Sequence, residues 1–176
     1  MSTETLRWPG IIRFFHWTTV LLLVATWAMI ALHENTPDDD FFYIGMHKAL
    51  GVSVAIWVLM RLVIRLGQQS KAPTPVTGPR WQTLSASVTH AILYGLMLAM
   101  PLAGVLMSQY GGRAVSVFGL FELPLMVVPD KTTGKFFHEL HTDIFWPLLL
   151  LFTAMHIGAA VYHQFILKDN LLKRMR

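Results

Sequence analysis

Apolar side chains dominate four stretches of this chain, residues 14–32, 45–64, 88–108 and 144–167, and polar and helix-breaking residues collect between them. Each stretch holds about 20 residues, the number a helix rising ~1.5 Å per residue needs to cross a ~30 Å hydrocarbon core. The pattern predicts four membrane-spanning helices. The breaks have their own chemistry: Asn35-Thr36-Pro37-Asp38-Asp39-Asp40 is a charged turn, and Lys71-Ala72-Pro73-Thr74-Pro75 with Gly78-Pro79 lacks the backbone donors a helix requires. The third connection, residues 111–137, is longer. Its apolar run Phe118-Gly119-Leu120-Phe121-Glu122-Leu123-Pro124 is interrupted by Gly, Glu and Pro, which predicts a segment lying along the membrane surface. The expected fold is an all-α membrane protein, a four-transmembrane-helix bundle using residues 1–176 as one domain.

Composition and charge add orientation. With 54% hydrophobic and 14% charged residues, the chain has too little polar material to clothe a soluble globule. The absence of cysteine excludes disulfides, thiolate metal sites and covalent C-x-x-C-H haem attachment. No small-residue cleavage site follows the first apolar stretch, so it is read as a retained helix. Arg7, Arg13, Arg61, Arg65, Lys71, Arg80, Lys168, Lys173, Arg174 and Arg176 fall on one side of the expected bundle. The other four basic residues, Lys48, Arg113, Lys131 and Lys135, share the far side with most of the acids. The positive-inside rule then puts both termini in the cytoplasm. On this reading the net charge of +4 reflects topology and contact with anionic lipid, and not nucleic-acid binding.

Four histidines sit in the apolar stretches or at their edge: His16, His47, His141 and His156. An ionisable ring at membrane depth must find a partner and is read first as a functional site. His16 opens helix 1 on the cytoplasmic side, and His47 opens helix 2 on the opposite side. His141 enters helix 4 at the level of His47, and His156, fifteen residues later, is roughly 22 Å deeper by helix rise, at the level of His16. Each level offers two imidazoles from different helices, the axial set of a bis-histidine haem in a bundle core. At ~100° per residue, fifteen residues leave His156 about 60° from His141. A kink or π-bulge near Trp146-Pro147 realigns the two rings. His138, five whole turns before His156, is the rival outer ligand.

These residues also carry a resemblance. Arg13-Phe14-Phe15-His16-Trp17, Met46-His47-Lys48-Ala49-Leu50-Gly51, His90 with Tyr94, Met100-Pro101-Leu102-Ala103-Gly104, His138-Glu139-Leu140-His141 and Met155-His156 with Tyr162-His163-Gln164-Phe165 together resemble the bacterial cytochrome b561 family. The resemblance implies a four-helix membrane cytochrome holding two haem b groups, with His16 and His156 on the inner iron and His47 and His141 on the outer. It also implies electron exchange with ubiquinone or another membrane quinone, and location in the bacterial inner (cell) membrane as a multi-pass protein. The family includes a superoxide oxidase, which takes electrons from periplasmic superoxide. The chain departs from the family's usual pattern by one extra residue between the two helix 4 ligands.

Other residues have two readings each. His163 and His90 are candidates for hydrogen bonds to a quinone or a haem propionate, or are interfacial side chains. Arg13 and Arg61 pair with propionates, where a guanidinium matches a carboxylate, or simply follow the positive-inside bias. Gly51, four residues after His47, lets a flat macrocycle approach the backbone or permits close helix packing. Two imidazoles saturate an iron, so the expected chemistry is single-electron transfer without oxygen binding. The expected function is that of a quinone-linked oxidoreductase with a periplasmic one-electron donor, possible superoxide included. The alternatives are a haem-bearing anchor subunit for a peripheral dehydrogenase or hydrogenase, and a metal transporter.

Overall fold

The structure, a computed structural model, describes residues 7–36, 41–73 and 79–175. Four long helical segments are apolar enough to span a bilayer: α1 (Gly10–His33), α2 (Phe42–Gly67), α3 (Arg80–Tyr110) and a continuous segment Lys131–Phe165. That last segment divides into α4 (Lys131–Glu139), a π-turn (Leu140–Phe145) and α5 (Trp146–Phe165). The four-helix expectation is met, with helix ends longer than hydropathy marks them. The acidic run Asp38-Asp39-Asp40, Thr74-Pro75, Gly78 and Arg176 lie outside the described residues.

Helix 3 begins at Arg80, not at residue 88. In its polar first turns Ser85 and Ser87 satisfy their hydroxyls on the carbonyls of Trp81 and Thr83, four residues back. Helix 4 begins at Lys131, well before residue 144. Asp130 caps it by accepting from the Thr133 N–H at 2.7 Å.

The third connection is not purely helical. Val115–Val117 (β1) and Phe121–Leu123 (β2) pair antiparallel. The turn between them closes with Leu120 N–H on the Val117 carbonyl, both central residues, Phe118 and Gly119, being at positive φ. This is the twist-matched turn that hairpins favour. Val115 and Val117 are buried, and β1 packs on α2. Phe118, Leu120 and Phe121 stay exposed, in keeping with an apolar segment at the membrane surface.

Residues near both ends of the described chain meet at the opposite pole. The Trp8 N–H donates to the Arg174 carbonyl at 3.1 Å, and Trp17 Nε1 donates to the Met175 carbonyl at 2.9 Å. The poles are called here the terminal end and the hairpin end.

Between them lies a compact apolar band. Val54 and Val58 of α2, Leu96 and Met97 of α3 and Leu149 of α5 form the buried core. Along each helix this band separates the histidines: Val54 and Val58 follow His47, and Leu149 lies between His141 and His156. Helix α1 packs on α2, α2 on α3, and α3 on α4 and α5. Among the described residues, no Cα of α5 or the π-turn comes within 8 Å of a Cα of α1 or α2. Helices in direct contact lie about 8–10 Å apart axis to axis and bring Cα atoms closer than that. The bundle is therefore a C-shaped row of helices, its opening bridged by side chains and, at the terminal end, by the Trp8 N–H on the Arg174 carbonyl.

Candidate functional site

Four histidines are among the bridging side chains. His47 on α2 faces His141 in the π-turn with ring centroids 6.1 Å apart and planes crossed at 86°. His16 on α1 faces His156 on α5 at 6.3 Å and 71°. One pair sits on each side of the apolar band, at the hairpin end and the terminal end respectively.

The distance is the one a shared metal requires. Two imidazoles on opposite sides of one metal, each bonded at about 2.0 Å with its ring centre about 1.1 Å further on, have centroids about 6.2 Å apart. Both pairs match. Among the described residues no three His, Asp or Glu side chains converge on one point, so a metal held between either pair would need its other donors from a ligand such as a macrocycle.

Hydrogen bonding fixes which nitrogen is available at the hairpin end. His47 Nδ1 lies 2.9 Å from the Thr26 carbonyl, and His141 Nδ1 lies 2.8 Å from the Met100 carbonyl. A carbonyl only accepts, so both Nδ1 atoms carry the proton and both Nε2 atoms present a lone pair. This second layer is what metal-bound histidines use to hold their tautomer.

The π-turn explains how His141 arrives there. Trp146 N–H donates to the His141 carbonyl, five residues back instead of four. Pro147 has no N–H for the Asp143 carbonyl, and the ladder broken there leaves room for the turn to take in one more residue. His138 is exposed at the head of the segment, and its carbonyl accepts from the Thr142 hydroxyl at 2.9 Å.

The terminal end is built differently. Arg61 Nη2 donates to His16 Nδ1 at 2.9 Å, which leaves the proton of that ring on Nε2. The guanidinium lies 5.4 Å above the Tyr94 ring, and the Arg65 guanidinium lies 6.0 Å from the same ring. Arg61 Nε and Tyr94 Oη are buried without a hydrogen-bond partner. A half-buried guanidinium with a spare donor beside a spare phenol suits a carboxylate. This set fits haem propionates, provided Arg61 moves from His16 Nδ1 to the carboxylate.

His90 is not at a helix start. It lies ten residues into α3, with its ring 5.2 Å from His156. That is too short for two rings across one metal, so His90 sits beside the His16–His156 pair and does not replace a member of it. Gly51 has open space where a Cβ would lie, as a close macrocycle edge needs. Arg13 is half-buried on α1, one turn before His16. His163 Nδ1 lies 2.5 Å from Asp169 Oδ2, near the chain end.

Sequence reading missed Trp17 and Gln164. A cavity of about 390 Å³ at the terminal end is lined by Trp17, Gln164, Phe165, Leu172 and Lys173. Trp17 also stands edge-on to His16, with centroids 5.2 Å apart, so it joins the histidine pair to the cavity. Gln164 Oε1 is buried without a partner. The adjacency His16-Trp17 is visible in the sequence, but a tryptophan near a helix end reads first as an interfacial anchor.

Comparison with known proteins bears on all of this. The profile described as prokaryotic cytochrome b561 matches residues 7–176. The chain is 35% identical over 170 residues to cytochrome b561 homolog 1 of Escherichia coli K12, covering 92% of each. It is 29% identical to cytochrome b561 homolog 2 of the same organism, covering 96% of this chain and 90% of that one. It is 28% identical to the probable superoxide oxidase CybB of Yersinia pestis, covering 91% and 90%.

Proposed function

The chain belongs to the prokaryotic cytochrome b561 family, a multi-pass bacterial membrane protein of electron transfer, and from that premise we propose that it moves single electrons across the inner membrane between a periplasmic donor and quinone. The two pairs of facing imidazoles, one at each end of the bundle, carry this reading. His47 and His141 would hold one haem b, and His16 and His156 the other. Haem b held by two imidazoles would supply a reversible one-electron couple. Arg61, Tyr94 and Arg13 neutralise the propionates at the terminal end, with His90 beside them. Both termini are cytoplasmic, by the excess of Lys and Arg at that end.

The quinone binds at the terminal end, in the cavity walled by Trp17 and Phe165. Its ring stacks against aromatic side chains, and Gln164 and Lys173 hydrogen-bond its oxygens; the unpartnered Gln164 Oε1 accepts from a hydroquinone O–H. Two electrons and two protons convert quinone to quinol there. His163, paired with Asp169, directly precedes the wall residue Gln164 and holds a proton on Nδ1.

The donor at the hairpin end is superoxide, each ion giving one electron and leaving as dioxygen. The relative in Yersinia pestis that bears the name probable superoxide oxidase supports this. Within the chain, Lys48 follows His47 directly, and Arg113 is near enough for its charge to act on Lys48. Together they draw a small anion toward that end. Lys135 adds less, because Glu139 lies 3.6 Å from its ammonium group.

Rapid mixing tests the proposal. Superoxide is expected to reduce the purified protein, and a short-chain ubiquinone to reoxidise it. Gln164→Leu slows the second phase and leaves the first unchanged. Reduction without quinone-driven reoxidation overturns the quinone assignment, and no reduction by superoxide overturns the donor.

A further inference from the structure

We infer that Gly104 of α3 is a positioning residue for His141: its missing side chain is the surface on which that imidazole is set. A Cβ built at residue 104 lies 3.1 Å from His141 Cε1, 3.2 Å from Nδ1 and 3.9 Å from Nε2. All three are ring atoms, so the ring lies across the Gly104 backbone. Two of the three distances are shorter than ordinary carbon contacts of about 3.5–4.0 Å.

The ring has nowhere to retreat. Its Nδ1 is held 2.8 Å from the carbonyl of Met100, one turn earlier on the same face of α3. Its own backbone is held by the Trp146 N–H in the π-turn. A methyl group at residue 104 therefore stretches the Met100 bond and turns the ring out of its 86° crossing with His47. Other glycines of the spanning helices differ: at Gly45, Gly51, Gly95 and Gly158 an added Cβ meets nothing within 4 Å.

The inference rests on the proposed role of His141 as an axial ligand. Crossed imidazole planes give a strongly anisotropic low-spin ferric EPR signal, and a turn toward parallel planes moves it toward the ordinary rhombic form. The second-shell hydrogen bond in addition sets ligand basicity, and with it the reduction potential.

The test is EPR, redox titration and the haem-to-protein ratio of the purified full-length protein carrying Gly104→Ala, with Gly95→Ala and His141→Ala alongside. Gly104→Ala is expected to shift or abolish the EPR signature and shift the potential of one haem, while the other keeps its wild-type values. Gly95→Ala is expected to match wild type in all three readouts. Wild-type signals in Gly104→Ala overturn the inference. So does simultaneous loss of both haems in that variant, which assigns Gly104 to helix packing alone. If His141→Ala keeps both haem signatures, the ligand reading beneath the inference fails, whatever Gly104→Ala shows.

Discussion

Deleting Ile144 from the π-turn is predicted to leave both histidine pairs intact, although it removes a residue from the middle of the segment that carries two of the four rings. The reasoning is geometric. Trp146 N–H reaches the His141 carbonyl five residues back; with one residue gone the same two groups are four apart and close an ordinary α-turn. His141 keeps its direction relative to His156, which fifteen regular α-helical steps do not give. Deleting Leu150 instead removes a residue from regular helix and turns one histidine against the other by about 100°, with a shift of ~1.5 Å along the axis. An imidazole tip about 5–6 Å from the helix axis then swings by about 8 Å, beyond the reach of any common metal centre. The assay is the haem-to-protein ratio with the EPR of each haem. Two haems in the Ile144 deletion and at most one in the Leu150 deletion are expected. Loss of a haem in the first, or retention of both in the second, would refute the role given to the π-turn.

Arg61→Leu removes the guanidinium beside His16 and is expected to lower the haem-to-protein ratio from two toward one, with Arg61→Lys intermediate; the pyridine haemochrome checks both. Leu149→Ala opens a cavity in the buried band and costs about 2–5 kcal/mol. It is expected to lower the thermal midpoint for Soret loss without changing either haem's spectrum. Hydrogen bonds from Thr133, by its side chain and then its backbone, hold the Asp130 carboxyl below the ordinary carboxylate range. A depressed folded-state value means the cap is fully effective above the unfolded value of about 4 and is lost as the pH falls through the folded one. The protection factors of the Thr133 and Gly134 amides, taken against their intrinsic exchange rates at each pH, are expected to fall on acidification and to be low at every pH in Asp130→Ala.

The helices and the histidine levels were legible in the sequence because both follow from rules of length and depth. About 20 apolar residues make a span, and a rise of ~1.5 Å per residue converts position into height. Helix ends were less legible. Hydropathy marks where lipid begins, whereas α3 and α4 start in polar sequence, α4 on the Asp130 cap. The hairpin at Val115–Leu123 was missed because strands this short leave little alternation to read. The fifteen-residue spacing between His141 and His156 signalled a local irregularity, and the π-turn is that irregularity. Trp17, Gly104 and Gln164 were illegible as site residues for a common reason. Their roles lie in what they touch across the bundle, His16, His141 and the terminal cavity, and no periodicity along one helix encodes that.

The central claim is that four histidines form two axial pairs. The most direct measurement is the pyridine haemochrome ratio, with EPR, of the wild-type protein and of His16→Ala, His47→Ala, His141→Ala, His156→Ala and His138→Ala. The account predicts two b haems per chain, loss of one and the same signal from His47→Ala and His141→Ala, loss of the other from His16→Ala and His156→Ala, and no loss from His138→Ala. Fewer than two haems in the wild type, or a variant of His138 that removes the signal His141→Ala leaves in place, would contradict it.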